Sequence, residues 1–253
     1  MALRIVIESL WALIRNIGQA ARVSALPFAV VVLCAFALSA IPGLRGFFEG
    51  RGAVREIAAP GMVLVFVLLP LSAVVVAWVA VSWHRLVLRQ VEPGMLPAEN
   101  GRSLLPYAGQ SLLIWLLTLA VVFAGVFVLG LTVAATFDVA ATDRLRGVLF
   151  TLGFIGFTYL WLRWGIALVG TALEKPMGMR DAWRATRNSR GTVLGVSVFI
   201  VVINRLAEGL ITAIGNLSLP VDLLISSALI WVTALMGISA LTTLYGYCVE
   251  GRH

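Results

Sequence analysis

Six long apolar stretches run through this chain, and short polar segments rich in arginine separate them. Each stretch has 19 to 25 residues, enough for a helix to cross a hydrocarbon layer of about 30 Å. The predicted spans are residues 23–41, 61–83, 110–134, 147–171, 192–215 and 223–247. The pattern therefore predicts an all-α polytopic membrane protein whose six transmembrane helices form three hairpins.

Proline and glycine mark the expected breaks between the spans, where backbone groups can reach water. The prolines outside the predicted spans include Pro42, Pro93, Pro106, Pro176 and Pro220. Pro70 instead falls inside the second predicted span, and a proline within a helix predicts a kink there.

Two further segments have the periodicity of helices that lie along a membrane surface. In residues 1–22, large apolar side chains oppose a polar stripe that consists of Arg4, Glu8, Arg15, Gln19 and Arg22. In residues 174–190, Arg180, Arg184 and Arg187 line one face, and Pro176 suits a helix start. Such helices lie in the head-group plane or pack against the bundle, and both arrangements can hold together.

The composition supports a membrane protein, since 60% of the residues are apolar and only 12% are charged. A soluble domain would carry about 25% charged residues. The net charge of +7 could indicate a protein that binds nucleic acid. In a membrane protein, however, retention of positive charge on the cytoplasmic side and attraction to anionic lipid head groups explain it. We therefore expect membrane lipids as partners and no nucleic acid.

The distribution of Arg and Lys predicts the orientation. Twelve lie at the amino terminus, in the second and fourth connections and in the carboxyl tail, whereas five lie in the first and third connections. Because the more basic side stays in the cytoplasm, both termini are predicted to be cytoplasmic. A cleaved signal peptide is the alternative interpretation of the amino-terminal region. However, the 22 residues before the first span favour a surface helix followed by an uncleaved span.

The ends of the even-numbered spans resemble one another and suggest a threefold hairpin repeat. Each leaves through aromatic residues and reaches a glutamate, at Glu92, Glu174 and Glu250. The segments before the first and fifth spans also correspond, because Trp11 and Trp183 each precede an Arg-Asn pair by four residues. Internal repeats of hairpins are common in transporters, and they also arise by duplication of a stable unit.

The run from residue 161 to 193 carries a family resemblance. It joins an aromatic-Arg, Leu-rich span end to a Glu-x-Pro turn and to the helix sequence Asp-Ala-Trp-Arg-Ala-Thr-Arg. This run resembles a broad group of bacterial six-span inner-membrane proteins, which includes the membrane domain fused to glycerophosphodiester phosphodiesterases and many proteins with no assigned role. The resemblance implies a multi-pass protein of the bacterial inner membrane. The phosphodiesterase domain has no counterpart in this sequence, so its activity does not carry over.

Charged side chains at membrane depth are the first place to look for function, because they are costly unless partnered. The candidates are Arg163 in the fourth span and Asn204, Arg205 and Glu208 in the fifth. They form either a polar site for a solute or a structural set. In the structural set Arg163 reaches the interface, while Arg205 and Glu208, three residues apart, neutralise each other.

A second candidate site is the basic fourth connection, with Arg180, Arg184, Arg187 and Arg190. This basic segment binds lipid head groups or a partner protein, or it serves only as a signal that sets the topology. No catalytic motif accompanies it, and Cys34, Cys248, His84 and His253 lack the spacing of a metal or redox site. We therefore expect no enzyme activity, cofactor or metal.

The leading functional hypothesis is a non-catalytic accessory or assembly factor that binds lipid or another membrane protein. The alternative is a transporter or channel for a small solute, with its polar site around Arg205 and Glu208.

Overall fold

The computed structural model describes residues 1–39, 59–90, 101–136, 139–214 and 219–251, and these parts of the protein are mostly helical. The helices in chain order are α1 (Ala2–Arg15), α2 (Ile17–Ser39), α3 (Ala59–Arg89), α4 (Gly101–Thr136), α5 (Val139–Ala172), α6 (Met179–Ala185), α7 (Arg190–Ile214) and α8 (Leu219–Cys248). A single 3-10 turn, Arg187–Ser189, joins α6 to α7.

Six of these helices, α2, α3, α4, α5, α7 and α8, are long and apolar enough to cross a membrane. The all-α polytopic fold is thus confirmed, and each predicted span falls within one of them, apart from the ends at residues 40–41 and 215. Those positions lie outside the described residues. The same holds for the predicted breaks at Pro42 and Pro93, for Glu92 and His253, and for the basic residues Arg45, Arg51, Arg55 and Arg252.

The three hairpins, α2/α3, α4/α5 and α7/α8, pack in a cyclic order. The second helices α3, α5 and α8 contact one another and form the centre of the bundle. Each first helix contacts its own partner and the second helix of the preceding hairpin: α2 contacts α8, α4 contacts α3, and α7 contacts α5. This regular pattern of neighbours is what a threefold repeat of one unit produces.

The core lies in the half of the bundle that holds both termini, which we call the proximal end. Here α3, α5 and α8 bury apolar side chains such as Val81, Ile166 and Leu244. Towards the opposite, distal end, side chains such as Phe127, Phe150 and Leu206 are more than half exposed. The exposed apolar side chains are those expected of a surface in contact with lipid.

The observed helices differ from the predicted ones at three points, of which two concern residues 1–22 and Pro106. The helix predicted over residues 1–22 ends at Arg15, because Asn16 leaves the helical conformation and its side chain donates to the Ala12 carbonyl (2.8 Å). Pro106, predicted to mark a break, lies inside α4. A proline removes one backbone donor, and burial of Ser103, Tyr107 and Ile114 along the same helix offsets this loss.

The helix predicted over residues 174–190 is also shorter than expected. Residues 174–178 form a turn in which Glu174 has a positive φ of 60° and the Lys175 amide donates to the Gly170 carbonyl (2.8 Å). Helix α6 then has seven residues and ends in the 3-10 turn. The segment therefore presents one short helix rather than a continuous amphipathic one.

Helix α1 packs across α7 and α8 at the proximal end. Its buried residues are Ile5, Val6 and Ser9. The Ser9 hydroxyl lies 3.1 Å from the Thr243 hydroxyl, and Ser239 donates to the Ser9 carbonyl (2.8 Å). Near the start of α7, a Cβ added to Gly195 would lie 2.6 Å from the Cβ of Ala2. The small residue is what lets α1 approach α7.

Gly195→Ala should therefore displace the amino end of α1 and lower the free energy of unfolding by about 1–2 kcal/mol, as overpacking does. Gly191→Ala, one turn earlier in the same helix, is the matched control, because nothing lies within 4 Å of its added Cβ. We expect that variant to be neutral or slightly stabilised, since alanine favours a helix over glycine. Thermal unfolding of both variants in the same detergent tests the contact, and equal midpoints would contradict it.

Candidate functional site

Arg163 connects α5 to α6 at the proximal end. Its side chain is buried, with 2% of the residue exposed. The guanidinium donates from Nε to the Thr186 hydroxyl (2.9 Å) and from Nη2 to the Trp183 carbonyl (2.8 Å). A third hydrogen bond, 3.2 Å long, runs from Nη1 to the Tyr159 hydroxyl. Arg163 thus binds the carboxyl end of α6 and does not extend past it to water.

The indole of Trp183 lies directly against this guanidinium. The carbon Cζ of Arg163 is 3.4 Å from the ring centroid, close enough for a cation–π interaction. The ring of Trp164, one residue after Arg163 in α5, lies 6.0 Å from that of Trp183 at a tilt of 38°. The buried cation thus holds the Trp183 indole of α6 at α5, where the Trp164 indole lies beside it.

A groove of about 370 Å³ opens beside these two indoles, between α4, α5 and α6. Its lining consists of Leu117, Trp164, Met179, Arg180, Trp183 and Arg184. The floor is apolar and aromatic, and the two arginines of α6 stand at one side. A groove of this kind fits a ligand that has an apolar body and an anionic end.

The four arginines predicted for head-group binding separate into two pairs. Arg180 and Arg184 line the groove, whereas Arg187 and Arg190 lie beyond it, where Arg190 donates to the Arg187 carbonyl (3.0 Å). All four are exposed. Asp181 accepts from Arg184 at 3.3 Å, and within the described part of the chain no carboxylate forms an ion pair with Arg180. Of the two groove arginines, Arg180 thus has more capacity left for an anionic ligand.

In the predicted repeat, α1 corresponds to α6, and the groove beside α1 is closed. Helix α1 lies against α7 and α8, and the space between these three helices is an apolar cavity of about 20 Å³. It is lined by α1, α7 and α8 residues that include Leu10, Val196 and Met236. Since α1 has 14 residues and α6 only seven, the longer helix covers its groove and the shorter one leaves it open.

The distal polar residues lie far from this groove. Arg205 pairs with Glu208 (2.7 Å), as the i, i+3 spacing predicted, and its guanidinium lies 5.3 and 5.6 Å from the rings of Phe150 and Phe154. Asn204 donates to the Ile200 carbonyl of its own helix (2.9 Å). The structure therefore groups Arg205 and Glu208 with aromatic side chains and leaves Arg163 at the other end of the bundle.

A buried polar network at the proximal end was missed by the sequence reasoning. Thr242 donates to the Ile238 carbonyl, so its oxygen accepts from Nδ1 of His84 (2.8 Å), and Nε2 accepts from the Tyr107 hydroxyl (3.2 Å). The neighbouring Arg85 donates to the Ala172 carbonyl and to the Glu174 carboxylate, both at 2.8 Å. These contacts join α3, α4, α5 and α8.

The adjacent His84 and Arg85 were the only local signal for this network, because their partners are 18 to 158 residues away in sequence. Buried polar groups of this kind are retained when each finds a partner. The network places no group of three His, Cys, Asp or Glu side chains together within the described residues. Its hydrogen bonds connect α3 to α4, α5 and α8.

No family model, no curated protein and no solved structure matches this chain.

Proposed function

We propose that this protein is a non-catalytic accessory factor of the bacterial inner membrane that binds an anionic phospholipid in the groove between α4, α5 and α6. In this proposal the proximal end faces the cytoplasm and the ligand comes from the cytoplasmic leaflet. The observation that carries it is the pair Arg180 and Arg184 beside an aromatic floor at the end of two apolar spans.

The chemistry of the groove matches the parts of a phospholipid. A guanidinium offers a planar set of donors suited to phosphate, and Arg180 and Arg184 are one helical turn apart. Trp164 and Trp183 are of the residue type enriched at membrane–water boundaries. Below the groove, Leu117 and Val121 are exposed one turn apart on α4, so an acyl chain can follow that helix towards the middle of the bilayer.

The same lining argues for binding and against catalysis. It contains two guanidinium groups, two indoles, a leucine and a methionine. None of these groups is a nucleophile or a general base at neutral pH. Accumulation of one class of lipid around a partner, rather than turnover, is the role that this chemistry supports.

The double variant Arg180→Gln with Arg184→Gln should lose bound phosphatidylglycerol. Each basic residue near an anionic surface contributes about 1 kcal/mol, so the pair should account for a loss of affinity of about tenfold to thirtyfold. The measurement is native mass spectrometry of the protein released from nanodiscs that contain phosphatidylglycerol and phosphatidylcholine in equal amounts.

The matched control is Arg187→Gln with Arg190→Gln, which removes the same charge from the same segment but outside the groove. We expect that control to retain the lipid. An equal loss in both variants would show a diffuse basic surface and would contradict the proposal, as would a wild-type protein that selects neither lipid.

A further inference from the structure

Helix α1 has three faces that differ in burial and polarity. One face packs on α7 and α8 through Ile5, Val6 and Ser9. A second face carries the ion pair of Arg4 and Glu8 (2.7 Å) and, two turns on, Arg15; these side chains are exposed. At 100° per residue the apolar residues Leu3, Ile7, Trp11 and Ile14 fall together on a third face.

This third face is apolar and uncovered. The exposed fractions of its residues are 64% for Leu3, 44% for Ile7, 52% for Trp11 and 55% for Ile14. A stripe of four large apolar side chains in contact with water would be unfavourable, since burial of each such side chain is worth about 1.5–3 kcal/mol. Exposed patches of this kind mark contacts with a membrane or a partner.

The position of α1 indicates that this apolar face contacts a membrane and not a partner protein. Only Asn16 separates α1 from α2, and the apolar window of α2 begins at Ile17, itself two-thirds exposed. The stripe therefore starts where a span starts, at the boundary between head groups and acyl chains. Trp11 stands between the apolar and the charged face, with the Arg15 guanidinium 5.5 Å from its ring centroid. That order of side chains follows the polarity gradient of a bilayer interface.

We infer that α1 lies in the plane of the proximal leaflet, with Leu3, Ile7, Trp11 and Ile14 inserted among lipid acyl chains and Arg4, Glu8 and Arg15 in the aqueous head-group layer. The protein then contacts that leaflet through a lateral helix in addition to its spans. This surface is separate from the groove at α6, so either can be present without the other.

Adjacent positions on α1 provide the test, because Ile7 and Glu8 point about 100° apart. Spin labels are attached at Ile7→Cys and, separately, at Glu8→Cys in a Cys34→Ala, Cys248→Ala background, and the full chain is placed in liposomes of phosphatidylglycerol and phosphatidylcholine. Relaxation of each spin label by oxygen, which concentrates in the bilayer, is compared with its relaxation by a water-soluble nickel chelate.

The expected result is a ratio of oxygen to nickel accessibility several-fold higher at position 7 than at position 8. Two results would overturn the inference. Strong relaxation of both labels by nickel would place the stripe in water, and protection of position 7 from both reagents would mean that a second copy or another protein covers it. Wild-type thermal stability of the labelled proteins confirms that α1 is still docked.

Discussion

Arg163→Leu should release α6 from α5 and destabilise the proximal end by about 3–5 kcal/mol. A hydrogen bond to a charged group is worth about 1.5–3 kcal/mol and a desolvated cation–π contact about 2 kcal/mol, and Arg163 makes three of the former and one close example of the latter. The net loss is smaller than the sum of these contacts, because the variant also avoids the cost of burying a charged guanidinium, which is several kcal/mol. Removal leaves the Thr186 hydroxyl oxygen without its Nε donor, whereas the Trp183 carbonyl still accepts from the Thr186 hydroxyl (3.2 Å). The thermal midpoint in detergent should therefore fall clearly.

Limited proteolysis reports on the same change locally. Trypsin cleaves after arginine in segments that can unfold, and α6 carries Arg180 and Arg184. In the Arg163→Leu variant, cleavage at these two positions should become faster than elsewhere in the chain, as intact-mass analysis can show. Since α6 forms one side of the groove, bound phosphatidylglycerol should be lost as well.

Two controls separate this role from a plain loss of charge. Arg89→Leu removes an exposed arginine at the end of α3 and should change little. Arg163→Lys keeps the charge but loses the planar fork of donors, so it should restore only part of the stability. If Arg163 merely extended to the interface, Arg163→Leu would be neutral or stabilising, and that outcome would contradict the proposed attachment of α6.

The spans could be predicted from the sequence because a lipid-facing helix needs no particular partner. Its backbone hydrogen bonds are internal and its surface only has to be apolar, so long apolar runs were sufficient. A threefold hairpin repeat was predicted from the repeated glutamates after the even spans, and the cyclic contacts of α3, α5 and α8 are compatible with it. These features are local, or recur at similar distances along the chain.

The details of the site could not be predicted in the same way. Arg163 was predicted either to belong to a polar site or to extend to the interface, and neither alternative named its partners. Trp183 and Thr186 lie 20 and 23 residues further on and come within reach only after the turn at 174–178 has formed. The separation of Arg180 and Arg184 from Arg187 and Arg190 depends on where α6 ends, and helix ends are the least predictable part of an element. His84 and Thr242 are 158 residues apart.

The turn after α5 provides the second large effect. A Cβ added to Gly170 would lie 2.7 Å from the backbone oxygen of Lys175 and 3.3 Å from the Cβ of Met177. Neither atom belongs to the flexible end of a side chain, so the turn itself must move. That turn presents Glu174 to Arg85, and the Met177 carbonyl accepts from Gln110 of α4 (3.3 Å).

Gly170→Ala should therefore cost about 2–3 kcal/mol, the upper range for overpacking, and should loosen α6 together with the turn that precedes it. Gly156→Ala is the matched control in the same helix, because the nearest atom to its added Cβ is 4.0 Å away. Helix propensity alone should stabilise that control by up to about 1 kcal/mol. Thermal unfolding of the two variants should thus move in opposite directions.

The same pair of variants distinguishes a rigid turn from an adaptable one. If residues 173–178 could shift freely, Gly170→Ala would gain helix propensity as Gly156→Ala does, and the two midpoints would coincide. A rigid turn predicts a lower midpoint together with weaker phosphatidylglycerol binding, although Gly170 does not line the groove. Loss of lipid through a residue that cannot touch it would show that the Gly170 turn, with Arg163, sets the position of α6.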